Sequence, residues 1–479
     1  MKIQIGNGGM NLQEIAAFCN GRLVGTGNAV SVCTDSREAT DAQTLFAVMV
    51  GKRVDAHSYM RRAYDNGCRL FLCQRIPEEM AGCDFGAVLV SDTVAALGAL
   101  AAAYTERQAR PVIGVTGSVG KTTTKEFISA VLSEKYTIHK TKANHNSTVG
   151  LPMSMLEATA DENISVVEMG MSGLGEIDFM SRAVKPRVAC ITNIGSSHLE
   201  LLGTRENICR AKLEIVNGMR EGGVLIVNGD EPLLRRMCPA GVKTKFISLE
   251  GADTDARVSN IAYDANGTRF DITLDGECHK DIRLSVIGRQ FVWAAAFAIV
   301  VARELDMDMD TVRRGLCRFE NAQMRQNIIE CGGITLIEDC YNASPESVRA
   351  AIDVMKTLAE QRGARMTALL GDMRELGENS AEFHHAVGAY YAEKGGALLF
   401  TLGELAQGIA AGAVACGLPR QNAVSMVDYE TAEAVAAMGD CVCQRLRRGD
   451  ILLVKASRAI GAERVLTYIQ QKISEASKE

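Results

Sequence analysis

No run of this sequence is long and apolar enough to cross a bilayer. The most apolar stretch, Ala95 to Tyr104, falls far short of the roughly 20 residues a spanning helix needs. The N-terminus, MKIQIGNGGMNLQEIAAF, lacks the apolar core of a secretory signal. Charge of one sign is not in excess either: 52 basic against 58 acidic residues leave a formal net charge of −6, mixed along the chain. That excludes the basic stripe of a nucleic-acid binder, so an anionic ligand must be held by a local site. The 15 cysteines form no regular framework, and Cys441 and Cys443 lack the spacing of common zinc sites. Cys33, Cys190, Cys209, Cys340 and Cys416 sit in apolar runs and read as reduced, buried small hydrophobes. Internal repeats and low-complexity linkers are missing. These absences predict a cytoplasmic protein with no nucleic-acid partner and no membrane span.

What is present is length and alternation. At roughly 100–200 residues per domain, 479 residues predict three domains or two large ones. Residues 1–110 mix short strand-like runs, such as Thr44–Gly51 and Arg69–Gln74, with a helix-period run at Ser91–Gln108. Arg110-Pro111 then opens a steeply apolar strand, which marks a boundary. From residue 111 to 324, strands are expected at Val112–Thr116, Ser165–Glu168, Val188–Asn193 and Val224–Asn228. Helices are expected at Lys121–Glu134, Thr204–Met219 and Gln290–Glu304. Such alternation argues a mostly parallel sheet covered by helices. Arg257–Ile287 reads as short alternating strands with a hairpin turn at Asn266-Gly267. Residues 325–479 carry a further βα series, the pattern of a doubly wound domain. The expected class is thus α/β: a small mixed N-terminal domain, a central P-loop ATPase-like domain and a C-terminal Rossmann-like domain.

The strongest chemical signal is Gly114-Val-Thr-Gly117-Ser118-Val119-Gly120-Lys121-Thr122-Thr123. It follows a strand and opens a helix. Glycines there let backbone N–H groups approach phosphate oxygens, and the helix N-terminus adds a positive dipole. Lys121 would reach the β/γ-phosphates of ATP, and the Thr122 hydroxyl would ligate Mg²⁺. The strict G-x-x-x-x-G-K-[ST] spelling fails by one position, since residue 115 is Val.

The spelling TGSVGKTTTKEF is similar to that of the Mur ligases, and further motifs agree in order over nearly the whole chain. Thr34-Asp35-Ser36-Arg37 resembles the family's nucleotide-binding turn in the first domain, and Asn144-His145-Asn146-Ser147 through Pro152 its substrate loop. Val167-Glu168-Met169-Gly170 and Thr192–Glu200, with His198, resemble two magnesium segments. Ala211-Lys212-Leu213-Glu214-Ile215 resembles a segment whose lysine is often carbamylated. Asp339-Cys-Tyr-Asn342-Ala-Ser-Pro345 and Leu370–Gly377 point to the branch that adds D-alanyl-D-alanine to UDP-N-acetylmuramoyl-tripeptide.

The resemblance implies a route: the carboxylate attacks the γ-phosphate, and the amine then displaces phosphate from the acyl phosphate. Phosphoryl transfer is catalysed mainly by positioning and charge neutralisation. Lys121, His198, Lys212 and the hinge arginine Arg325 are the catalytic candidates. Gly117 to Thr123, Asp339 and Asn342 are the ATP candidates. Ser36, Arg37, Asn144, Asn146, Ser147, Lys455 and Ser457 are the substrate candidates. Two Mg²⁺ ions are implied, with Thr122, Glu168, His198 and a carbamylated Lys212 as ligands, and a monomer is expected. Asp372, Glu375 and His384 form a further polar cluster able to orient an amine.

Taken without the resemblance, several of these residues have plainer readings. Lys212 is a solvated helix lysine, His198 a loop histidine capping a carbonyl, and Asp339 an Asx turn before a helix opened by Ser344-Pro345. The sequence also departs from the family. Its K-G-S-R-G reads Lys455-Ala-Ser-Arg-Ala459, its G-M-R reads Gln323-Met-Arg325, and its D-G-H reads Asp55-Ala-His57. Its adenine-holding G-x-H-N-x-x-N reads Gly288-Arg-Gln-Phe291-Val-Trp293-Ala294, with both asparagines gone. Phe291 and Trp293 either stack on the base or belong to the core of their helix. Two further readings stay open: a ligase of the same mechanism with another amine, and a homologue that binds nucleotide or precursor without turnover.

Overall fold

The computed structural model describes residues 1–476 except Lys52, Ala252, Asp253 and Ala265. Three large sheets follow one another along the chain. The first has six strands in the order Lys2–Gln4, Ser31–Cys33, Thr44–Ala47, Leu70–Cys73, Gly86–Leu89 and Arg22–Val24. Its inner pairs are parallel and both edges antiparallel. His57 ties a loop to this sheet. Its Nδ1–H faces Asp55 Oδ1 at 2.6 Å, and its Nε2 accepts from the backbone N–H groups of Gln74 and Arg75.

The second sheet has nine strands, with Val112–Thr116 between Ile164–Glu168 and Val188–Ile191. Pairing is parallel up to Ala256–Asp264 and antiparallel through Gly267–Leu274 and Glu277–Leu284. The alternation in the sequence therefore reports one sheet that continues into a hairpin edge. The hairpin turn is shifted from the expected place: Gly267 already pairs with Asp264. A side chain on Gly267 would strike the Leu284 carbonyl oxygen.

The helix Arg289–Arg303 is apolar on nearly all sides and is correspondingly buried. It packs against Lys121–Leu132, and Phe127 stacks on Phe319 at 3.6 Å beside Phe291. The helix expected at Thr204–Met219 is shorter, Arg205–Leu213, and continues as a tight 3₁₀ segment. Glu214 at that junction accepts from the N–H groups of Gly175 and Asp178, capping the neighbouring helix Glu176–Val184. A carboxylate at a helix N-terminus is favoured by its free N–H groups and dipole.

The third sheet runs Asn327–Cys331, Ile334–Asp339, Ile451–Lys455, Met366–Gly371, Leu398–Leu402, Ala423–Met426, and only its first pair is antiparallel. Its inner strands Ile451–Lys455, Met366–Gly371 and Leu398–Leu402 are buried throughout and carry largely apolar runs. Among the named cysteines, Cys33, Cys190, Cys209 and Cys340 are buried, and burial pushes the Cys33 thiol up to about 12. Cys416 differs from expectation: it is exposed after the helix Gln407–Ala415. Among the described residues no helix is long and apolar enough to cross a membrane.

Candidate functional site

The phosphate loop leaves the carboxyl end of Val112–Thr116 and enters Lys121–Leu132. Gly117 and Gly120 are required by geometry. A Cβ on Gly117 would lie 1.9 Å from Thr192 Oγ1, and Gly120 caps the helix at φ 83°. Lys121 folds back, and its Nζ donates to the carbonyls of Gly117 (2.9 Å) and Ser118 (3.4 Å). Burial, and secondarily Arg325, lowers its pKa, while Glu168 opposes the shift. The Thr122 hydroxyl donates to Glu168 Oε2 at 2.7 Å, and Asn146 Nδ2 donates to Glu168 Oε1 at 2.8 Å. One carboxylate thus links the phosphate loop to the loop predicted to meet the substrate.

The segment Thr192–Ser196 is laced to the phosphate loop. Asn193 Oδ1 accepts from the N–H groups of Ser118 and Val119, Thr192 donates to the Val119 carbonyl, and the Gly195 N–H donates to Ser118 Oγ. Next along the segment, His198 stands at φ 69° with Nδ1 2.8 Å from Glu375 Oε2. It therefore faces an acid of the loop that follows the strand Met366–Gly371.

Across the cleft, adjacent parallel strands end in Asp339 and Lys455, which are register partners. Lys455 is 2 % exposed, and its Nζ donates to Asp339 Oδ2 (2.7 Å) and to the Asn342 carbonyl (2.9 Å). Arg325 stacks on the Tyr341 ring at 4.1 Å. Ser118 to Thr123, Asn146, Glu168, Arg325, Asp339, Asn342 and Lys455 all line this one cleft.

Other candidates lie apart from its walls. Ser36 is half-buried in the first unit, where Arg37 forks onto Asp35 and holds that carboxyl down at about 2. Asn144 is exposed, Ser147 Oγ accepts from the Gly150 N–H, and Ser457 Oγ accepts from the Arg374 N–H. Lys212 is 1 % exposed and makes no ion pair among the described residues, which overturns the solvated-lysine reading. Burial first, and the charge of Lys121 second, lower its pKa well below 10.5.

Of the polar cluster suggested around Asp372, Glu375 meets His198, whereas His384 and Asp372 are held by backbone groups. His384 is fully buried, its Nδ1–H donates to the Ser380 carbonyl, and its Nε2 accepts from the Met373 N–H. Asp372 is buried and accepts from the Ala406 N–H. Burial lowers the His384 pKa below its ordinary 6.5. Below 6.5 the unfolded chain then binds more protons than the folded one, so acidification costs stability. Between about pH 7.5 and about pH 5.5 the wild type should lose more thermal stability than His384→Gln, measured by parallel melts. Equal losses would mean that His384 does not carry this dependence.

Breaking the buried pair at the cleft has a larger effect. Asp339→Ala leaves the Lys455 ammonium without its counter-charge. The transition that melts the third sheet should weaken by about 3 kcal/mol in urea. Asp339→Ala/Lys455→Met should recover most of it; a double variant no more stable than the single one would remove the electrostatic account.

Phe291 belongs to the core, 4 % exposed among Phe127 and Phe319, although its edge reaches the cleft. Amides that the sequence reading did not single out stand beside it: Gln290 donates to Gln326, and Asn321 is near both. Of the positions where the family pattern has glycine, Ala56, Gln323, Ala456 and Ala459 all have ordinary negative φ, so no backbone strain follows. Ala456 is accommodated against Gly371, where an added Cβ would lie 2.6 Å from that of Ala456.

The chemistry of the donors fits Mg²⁺ sparsely. Thr122 and Glu168 offer hard oxygens beside the phosphate loop, and no group of three His, Cys, Asp or Glu gathers among the described residues. A hard cation that keeps its waters suits such a set.

Comparison with known proteins agrees with this geometry. Residues 115–302 match the Mur ligase middle domain, and residues 324–458 match the Mur ligase, glutamate ligase domain. The chain is 38% identical over 440 residues to the UDP-N-acetylmuramoyl-tripeptide–D-alanyl-D-alanine ligase of Bacillus subtilis, covering 91% of this chain and 92% of that one. The Escherichia coli enzyme of the same name is 32% identical over 384 residues, covering 79% and 82%. A crystal structure of MurF from Acinetobacter baumannii superposes with a TM-score of 0.87 at 28% identity, covering 98% and 100%. MurF from Thermotoga maritima in complex with ADP gives 0.81 at 28% identity, covering 93% and 98%. With its three parallel-rich α/β sheets and a phosphate loop facing the third of them, the chain belongs to the Mur ligase family.

Proposed function

We propose that this chain is the ATP-dependent ligase that joins D-alanyl-D-alanine to UDP-N-acetylmuramoyl-tripeptide in peptidoglycan precursor synthesis. The observation that carries the reading is the cleft itself. It brings the phosphate loop, the Asn146–Glu168 link, Asp339 of the motif that marks this branch, and its partner Lys455 within one set of walls. The relatives that the chain matches over most of its length bear that activity in their names.

In this reading residues 1–110 bind the uridine end of the precursor through Ser36 and Arg37. Residues 111–324 bind ATP, and residues 325–479 bind the dipeptide, with Lys455 and Ser457 on that side. Asn144, Asn146 and Ser147 hold the peptide whose carboxylate reacts. Lys121, helped by Arg325, neutralises the transferring phosphoryl group, and Asp339 and Asn342 border the nucleotide. Thr122 and Glu168 would hold one Mg²⁺, and His198 with a carbamylated Lys212 a second; bound there, the ions would offset the negative charge of the phosphates and the attacking carboxylate. Closure excludes water from the acyl phosphate. The protein acts as a cytoplasmic monomer.

The test is phosphate release with ATP, UDP-N-acetylmuramoyl-tripeptide and D-Ala-D-Ala, each omitted in turn. Release that requires both substrates is expected. Release with a different amine would reassign the acceptor, and nucleotide binding without any release would refute the ligase.

A further inference from the structure

Two acids of the third unit reach the Thr192–His198 segment of the second. Glu375 meets His198, and Glu346 meets Ser196. The second contact is the more specific. Glu346 Oε1 accepts both the backbone N–H (3.0 Å) and the hydroxyl (2.8 Å) of Ser196. It does so over Gly195, where an added Cβ would lie 3.2 Å from both the Glu346 carboxyl carbon and Ser118 Cβ. Gly195 in turn donates its N–H to Ser118 Oγ. An unbroken path of contacts therefore runs from the first turn of Pro345–Arg362 through Ser196 and Gly195 to the phosphate loop.

We infer that Glu346 is a positioning residue, which latches the third unit onto the segment that braces the phosphate loop. Glu346 is the second residue of its helix, so it also has an ordinary reason to be acidic: carboxylates are favoured in a first turn. That reason does not need the Ser196 contacts. The helix start is already capped by Ser344 and Ser347. The latch needs a neutral or charged acceptor at glutamate length, whereas the dipole needs only negative charge. Glutamine satisfies the first and aspartate the second.

The kinetic arm of the test rests on the ligase reading; the scattering arm needs no turnover. Full-length wild type, Glu346→Gln, Glu346→Asp and Glu346→Ala are compared by small-angle scattering without ligand and by steady-state turnover with ATP, UDP-N-acetylmuramoyl-tripeptide and D-Ala-D-Ala. Ala and Asp should raise the radius of gyration and lower kcat about tenfold, with KM for ATP changed less than about twofold. Gln should stay as compact as wild type and within about threefold of its kcat. An Asp variant like wild type, a Gln variant as impaired as Ala, or an Ala variant unchanged in compactness or in kcat would each overturn the latch. Should the wild type itself show no turnover, the ligase reading fails, and compactness alone decides the latch.

Discussion

Lys121→Ala should lower kcat by about 10³-fold while leaving binding of the UDP precursor nearly unchanged. The side chain is held by its own loop, donating to the carbonyls of Gly117 and Ser118, so its charge stands ready before nucleotide arrives. Burial already disfavours that charge, and Arg325 on the far wall disfavours it further. An incoming phosphate would relieve both costs. The interaction strengthens as charge spreads over the transferring group, and an interaction stronger in the transition state than in the ground state appears in kcat. Arginine is not a conservative replacement, because its planar fork cannot curl onto two carbonyls of a tight loop. Rapid-quench measurement of acyl-phosphate formation, with precursor affinity by calorimetry, separates the steps. A variant within about threefold of wild-type kcat would remove Lys121 from phosphoryl transfer.

How much of this site the sequence disclosed depends on how local each interaction is. The phosphate loop was legible because its backbone needs are local: Gly117 and Gly120 both take positive φ within one short turn, and both needs are spelled as glycine. The parallel sheets were legible because strands buried on both faces leave apolar runs. Lys212 was not legible on its own, since a helix lysine flanked by Arg210 and Glu214 looks solvated until tertiary packing buries it. His384 and Asp372 erred in the other direction. Their chemistry suggested a site, but each is satisfied by backbone groups that only the fold brings close. The shortened helix at Arg205–Leu213 belongs with these, because Glu214 is drawn off to cap Glu176–Val184. The lost asparagines of the adenine motif looked like erosion. The structure places Gln290, Gln326 and Asn321 beside Phe291, so the cleft has amide groups at that end although their spacing matches no motif.

Lys212→Ala should abolish turnover, with kcat reduced by at least about 10²-fold, and short-chain carboxylates should restore part of it. The Lys212 side chain is 1 % exposed and pairs with no acid among the described residues, and Lys121 lies near enough to repel it. Both effects lower its pKa well below 10.5 and enlarge the fraction of free amine at neutral pH. Only the free amine adds CO₂. The ammonium first gives up one proton; the amine nitrogen then bonds to the carbon and releases a second, so a carbamate anion stands where the ammonium stood. Repulsion by Lys121 then becomes attraction. The same shift fixes the sign of a stability effect. Between the lowered value and 10.5 the unfolded chain holds the extra proton, so the unmodified lysine costs stability at neutral pH, and the cost recedes as pH rises through that window. In CO₂-free buffer Lys212→Met should therefore melt higher than wild type while being inactive. Bicarbonate should raise the wild-type melting temperature and leave the variant unmoved. A Lys212→Ala enzyme with full activity and no response to carboxylates, or a wild type whose melting ignores bicarbonate, would show that this buried amine works unmodified or not at all.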